Sequence, residues 1–150
     1  MKRILFLTIL LSILLLIFGC TAQTNLSDYQ PKSAEEKEVL DFMLKWEDNQ
    51  KERNLTKYMA CFHDNATIKY NSDSKLKPII SKQQFEDRLK SGHWAEMDTN
   101  NMITPTITIV RNRATVRCKH YAESYIIVHN IDLIKEGEKW SIIKWNWEWH

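Results

Sequence analysis

The chain has 150 residues, with 21 basic against 19 acidic side chains and 43% hydrophobic residues. That length suits one domain with a real core, and the near balance of charge leaves no basic surplus to bind nucleic acid by neutralising phosphates. Three glycines in all leave no room for a phosphate loop or dinucleotide fingerprint, no G-x-S-x-G elbow occurs, and no C-x-x-C or H-x-x-x-H spacing points to a metal or other cofactor.

Met1-Lys2-Arg3 gives a short positive start, and residues 4–18 form an uncharged, largely apolar run. Its fifteen residues fit the h-region of a signal peptide and fall short of the roughly 20 needed to span a bilayer. Ile17-Phe18-Gly19-Cys20 resembles the lipobox of bacterial lipoproteins, although Phe18 is bulkier than the usual small residue. The resemblance implies that residues 1–19 are a signal peptide and that Cys20 becomes the acylated first residue, carrying palmitate-type chains. Stable anchoring takes more than one acyl chain, and multiple acylation would supply that. The implied location is the bacterial cell envelope, bound to the membrane through lipid. Thr21 follows the cysteine where an Asp would retain the protein at the inner membrane, so an organism with two membranes would place it on the periplasmic side of the outer one. Lys2 and Arg3 are the only charges removed with the leader, so the 21 basic residues fall to 19 and the mature chain is neutral.

Residues 20–32 read as the lipidated cysteine and a flexible polar tether, and residues 33–150 as one domain. Ser33 and Glu36 have the spacing of a capping box, opening a helix to about Asn49 with Val39, Phe42, Met43 and Trp46 on its apolar face. Asn54 caps a second, shorter helix whose Leu55, Tyr58, Met59 and Phe62 share a face, and His63-Asp64-Asn65 breaks it. Residues 66–70 are β-capable and 71–74 a turn. Ser81 and Gln84 form a second capping box, opening a third helix with Phe85 and Leu89 inward and Gly92 at its C-terminal cap. The rest changes character: 103–110, 114–123, 125–135 and 140–149 are rich in β-branched and aromatic residues, with hairpin turns at Arg111-Asn112 and Glu136-Gly137-Glu138. Helices followed by a meander of antiparallel strands give an α+β fold, helices packed on one face of the sheet.

The segment from Ala60 to Thr67, the Ala114-Thr115-Val116 triplet and the final hairpin from Asp132 to Ile142 together resemble the nuclear transport factor 2-like superfamily, over roughly residues 33–150. This superfamily includes ketosteroid isomerase and polyketide-cyclase-like proteins. The resemblance implies three N-terminal helices in the concave face of a strongly curved, mostly antiparallel sheet, a cone with a pocket at its wide end. It also implies that a homodimer through the outer sheet face is an available state. An ungapped alignment puts Trp46 at the isomerase's tyrosine and Tyr70 at its base, with Asp132 alone matching. A neutral Tyr is a poor proton acceptor near pH 7, so isomerase chemistry is not expected.

The candidate pocket residues are Trp46, Tyr58, Tyr70, Trp94, His120, Asp132, Trp145 and Trp147. Trp145, Trp147 and Trp149 alternate along one strand and so share a face if it is regular. They either line a pocket for a flat, apolar or aromatic ligand, fill it, or cover an interface. His120 and Asp132 are the acid–base candidates, provided both face inward. Ile127, Ile131 and Leu133 alternate against Asp132 and equally fit as the inward set. Cys61 and Cys118 either form a disulfide outside the cytoplasm or sit free in the core. The leading expectation is a lipid-anchored, non-catalytic small-molecule-binding or protein-interaction domain. Its rivals are a polyketide-cyclase- or dehydratase-like enzyme moving protons through His120 and Asp132, and an accessory lipoprotein whose cone is filled by its own tryptophans.

Overall fold

A computed structural model describes residues 24–70, 79–94, 102–122 and 125–149. The leader, Cys20, the turn at 71–74 and the side chains of Tyr70 and Trp149 lie outside the described residues.

Helix α1 (Ala34–Lys51) starts where Ser33, in an extended conformation, accepts a hydrogen bond from Glu36 N at 3.1 Å. The expected reciprocal bond is replaced. The Glu36 carboxylate reaches one residue further back and accepts from Lys32 N at 2.7 Å and from the Tyr29 hydroxyl at 3.3 Å. Val39, Met43 and Trp46 are buried along one stripe. Asn54 caps α2 (Leu55–Met59), accepting from Lys57 N at 3.1 Å. The helix is shorter than expected, because Phe62 already opens β1 (Phe62–Tyr70). His63-Asp64-Asn65 therefore lies inside a strand. Its break survives as a register irregularity between Phe62 and Thr67, where β1 pairs with the last strand. Lys82 holds the region by donating to Phe62 O at 2.8 Å and Asp64 Oδ1 at 2.9 Å.

A three-residue strand, β2 (Ile79–Ser81), was not anticipated. It leads into α3 (Lys82–Lys90), whose capping box is complete: Ser81 Oγ accepts from Gln84 N, and Ser81 N donates to Gln84 Oε1 at 2.9 Å. Ser91 is the C-cap, and Gly92 follows with φ +98, a conformation glycine alone adopts without strain. The third helix thus lies between β2 and β3 rather than before the sheet. Four long strands follow, β3 (Ile103–Val110), β4 (Arg113–Ala122), β5 (Tyr125–Glu136) and β6 (Lys139–Trp149). The six strands form one sheet in the order β2-β1-β6-β5-β4-β3, parallel only between β1 and β6. The fold is α+β, and no helix among the described residues is long and apolar enough to cross a membrane.

The segment expected as a tether is anchored from Thr24 onward. Thr104 N donates to Thr24 O and Leu26 N to Met102 O, each at 2.7 Å, and Asn25 bridges to Ile103. Leu26 is 1% exposed. One leucine and the partly buried Tyr29 supply an apolar anchor that the polar composition around them conceals.

Alternation fixes which side chains face the helices. Ala114, Val116, Cys118 and His120 of β4 are buried, as are Ile127, His129, Ile131 and Leu133 of β5. In β6 the parity changes. Leu133 pairs with Ile142 but Asp132 with Lys144, so Ile143 is an extra residue, and Ile142, Trp145 and Trp147 all turn to the core.

If Leu26 is a core residue, Leu26→Ala will cost about 2–5 kcal/mol. Urea unfolding measures it, and a change within about 0.5 kcal/mol, as for an exposed position, would return the segment to the status of a tether.

Candidate functional site

The helix-facing surface of the sheet and the buried stripe of α1 meet in a chain of rings. Trp46 stacks on Tyr58 with centroids 5.9 Å apart and meets Trp145 edge-on at 5.0 Å. Trp145 contacts Trp147 at 4.3 Å and stacks on His129 at 5.9 Å, and His129 lies 5.8 Å from His120. Phe62 and Phe85 close the cluster against Trp145, and Trp94 covers Tyr58 at 5.4 Å. The structure therefore brings together Trp46, Tyr58, Trp94, His120, Trp145 and Trp147 of the expected set.

Asp132 is a correction. It pairs in register with Thr115 on the face opposite the helices, and the Thr115 hydroxyl donates to its Oδ1 at 3.0 Å. His120 sits on the inner face and is buried. The sheet separates the two, so they form no proton-transfer pair. The inward residue of β5 is instead His129, opposite Cys118 and Trp147 in the neighbouring strands. Position 129 belongs to the alternating set of Ile127, Ile131 and Leu133, and the strand pairing turns that set inward. Tyr70 aligns with Trp147 in the backbone register.

Of the two states open to the cysteines the structure has the second: both are free and buried. Cys61 Sγ contacts Asn49 Nδ2 and Lys57 O at 3.5 Å each, while Cys118 Sγ donates to Met102 Sδ at 3.2 Å. The two thiols serve different neighbourhoods, and burial pushes each up from the ordinary cysteine value. Among the described residues no cluster of three His, Cys, Asp or Glu side chains is placed to hold a metal.

Hydrogen bonding in the cluster fixes the state of His129. Trp145 Nε1 donates to His129 Nδ1 at 3.1 Å. Indole N–H is a donor only, so Nδ1 is the acceptor and the ring proton of the neutral imidazole resides on Nε2. Burial, reinforced by His120, lowers the His129 pKa to about 3. Its Nε2–H is buried and has no acceptor, and the same is true of Trp46 Nε1 and the Tyr58 hydroxyl. Burial and then nearby Cys61 raise the Tyr58 phenol well above its ordinary value. The Trp46 N–H approaches closely enough to oppose that rise, yet no hydrogen bond of normal geometry joins the two. Three polar groups of one aromatic cluster thus lack a hydrogen bond of normal geometry, although the Tyr58 oxygen can accept as well as donate. An unmet buried polar group costs about 1–3 kcal/mol, so this set needs a reason.

The depressed His129 pKa makes stability depend on pH. Between the ordinary histidine value of 6.5 and about 3 the unfolded chain binds a proton that the folded one refuses, so stability falls as pH drops through that window. We expect His129→Gln to flatten the pH dependence of unfolding free energy between pH 7 and 5. The difference should approach about 1.4 kcal/mol per pH unit at its steepest. Parallel curves for parent and variant would place the acid sensitivity elsewhere.

No family model matches the sequence, and no curated protein does. Solved structures do match. An NTF2-like protein of unknown function from Shewanella baltica is 15% identical, with 81% of this chain and 98% of that one covered and a TM-score of 0.60. The beta subunit of the benzoate 1,2-dioxygenase from Burkholderia mallei is 12% identical, covering 81% and 93% with a TM-score of 0.59. A putative scytalone dehydratase from Novosphingobium aromaticivorans is 11% identical, covering 77% and 84% with a TM-score of 0.57. At such identities the likeness is one of fold, and the fold is that of the NTF2-like proteins.

Proposed function

We propose that this domain binds a small, mostly apolar or aromatic molecule within its ring cluster, without catalysing a reaction on it. The observation that carries this reading is the set of three buried polar groups without a hydrogen bond of normal geometry, Trp46 Nε1, Tyr58 Oη and His129 Nε2. A ligand bearing acceptor oxygens would satisfy them while its body packs on the indole rings. His129 stays neutral above pH of about 3, offering a dipole and no charge, so a carbonyl suits it better than a carboxylate. Trp94 is the least buried ring of the cluster, and its displacement would open Tyr58. The dehydratase-like alternative loses its support with Asp132, which hydrogen-bonds to Thr115 on the other face. The reading places the domain at the cell envelope, held by an acylated Cys20; the support for that part is the leader and lipobox in the sequence.

Two experiments test the two parts. The Tyr58→Phe variant removes an unmet hydroxyl, so the ligand-free protein should gain about 1 kcal/mol in urea unfolding. Tryptophan quenching should show 2-acetylnaphthalene binding about tenfold tighter than 2-ethylnaphthalene, with the preference reduced in the variant. Equal binding of ketone and hydrocarbon, or a destabilised Tyr58→Phe, would sink the pocket assignment. For the anchor, expression in a bacterium fed alkyne-palmitate should label the parent and not Cys20→Ser; an unlabelled, released parent protein would refute it.

A further inference from the structure

A recess opens beside α1, and none of the aromatic cluster's members lines it. It is a cleft of about 720 Å³ between α1, the end of α2 and the β5–β6 turn. That volume is in the range of small-molecule sites. Phe42 on α1, Ala60 and Cys61 after α2, and Trp140 at the start of β6 make its walls largely apolar. The cleft stripe of α1, Glu38, Phe42 and Lys45, follows the same helical spacing as the core stripe but points elsewhere.

Its charges sort themselves by partner. Glu38 is held by Lys135 Nζ and by Trp140 Nε1 at 3.3 Å, and these bonds keep its carboxyl below the usual range. Asp41 pairs with Lys37 at 2.7 Å and Lys57 with Glu52 at 3.5 Å. Glu138 is exposed on the turn. Lys45, Lys139 and the exposed Glu138 remain, with no ion pair among the described residues, so the unpaired groups carry two positive charges and one negative. The two lysines approach from the helix and from the hairpin, and the charge of each is felt at the Cys61 thiol on the wall.

From this arrangement we infer that the cleft is a second binding site, for a small amphipathic organic carboxylate whose head lies between Lys45 and Lys139 and whose apolar body rests on Phe42, Ala60 and Trp140. The site is independent of the ring cluster and opposite in chemistry: it offers cations to an anion, where the cluster offers neutral donors to a carbonyl. Both lysines are exposed, so their replacement should leave the fold intact.

The test uses 2-naphthoate and the neutral 2-naphthalenemethanol as probes, followed by calorimetry and by amide shifts in NMR spectra. We expect 2-naphthoate to shift the Ala60 and Cys61 amides, and the Lys45→Gln/Lys139→Gln double variant to bind it about tenfold more weakly while keeping the parent's circular dichroism. Tyr58→Phe should leave this affinity unchanged. The inference is overturned if the alcohol binds as tightly as the acid, if the double variant binds like the parent, if the shifts centre on Tyr58 and His129, or if no binding is detected.

Discussion

A single extra residue in β6, Ile143, decides what the core of this protein is made of. With strict alternation, the register that puts Ile142 against Leu133 would turn Trp145 and Trp147 to the open face of the sheet. The bulge restores them to the inside, where Trp145 meets Trp46 from α1 edge-on and donates to His129 from β5. Helix packing, sheet register and the tautomer of a buried histidine all hang on that local change of parity. Bulges re-aim side chains in this way wherever a strand must serve two patterns.

The interior that results is unusual in its polarity. It buries two histidines, a tyrosine hydroxyl and an indole N–H beside a wholly apolar set of Ile68, Ile131, Leu133 and Ile142. A core selected for stability alone would replace Tyr58 with Phe and His129 with an aliphatic residue, because unmet donors subtract from a small net stability. The proposed ligand would complete the hydrogen bonds that these groups lack. The same burial that makes His129 a poor base makes it a dependable neutral donor, and the thiols of Cys61 and Cys118 are likewise kept protonated.

Helix α1 contributes to both the ring cluster and the outer cleft. One stripe, Val39, Met43 and Trp46, looks into the ring cluster, while Glu38, Phe42 and Lys45 look into the outer cleft. Its C-terminal end is tied to α2, where Asn49 bonds Lys57 O and Cys61 Sγ. The N-terminal end is tied to the segment at residues 24–32 through Glu36, which accepts from Tyr29 and Lys32. The chain before α1 is thereby part of the domain, and only residues 21–23 separate its first anchored position from Cys20.

Local chemistry made much of this legible in the amino-acid sequence. Ser33, Asn54 and Ser81 cap their helices because a side-chain oxygen next to an apolar-periodic run answers the free N–H groups of the first turn wherever it occurs. The four long strands follow from runs of β-branched and aromatic residues, and the burial of Trp46, Tyr58 and Trp145 from their place in those patterns. What the sequence could not set was register and long-range partnership. Asp132 and His129 stand on opposite faces of one strand, and only its pairing with β4 and β6 says which of them faces the helices. Leu26 anchors through Met102, and Lys45 and Lys139 line the same outer cleft, residues far apart along the chain in each case. Composition and spacing record what a residue can do alone; the faces it shows, and the partners it lacks, were decided by strand pairing around an extra residue in the last strand.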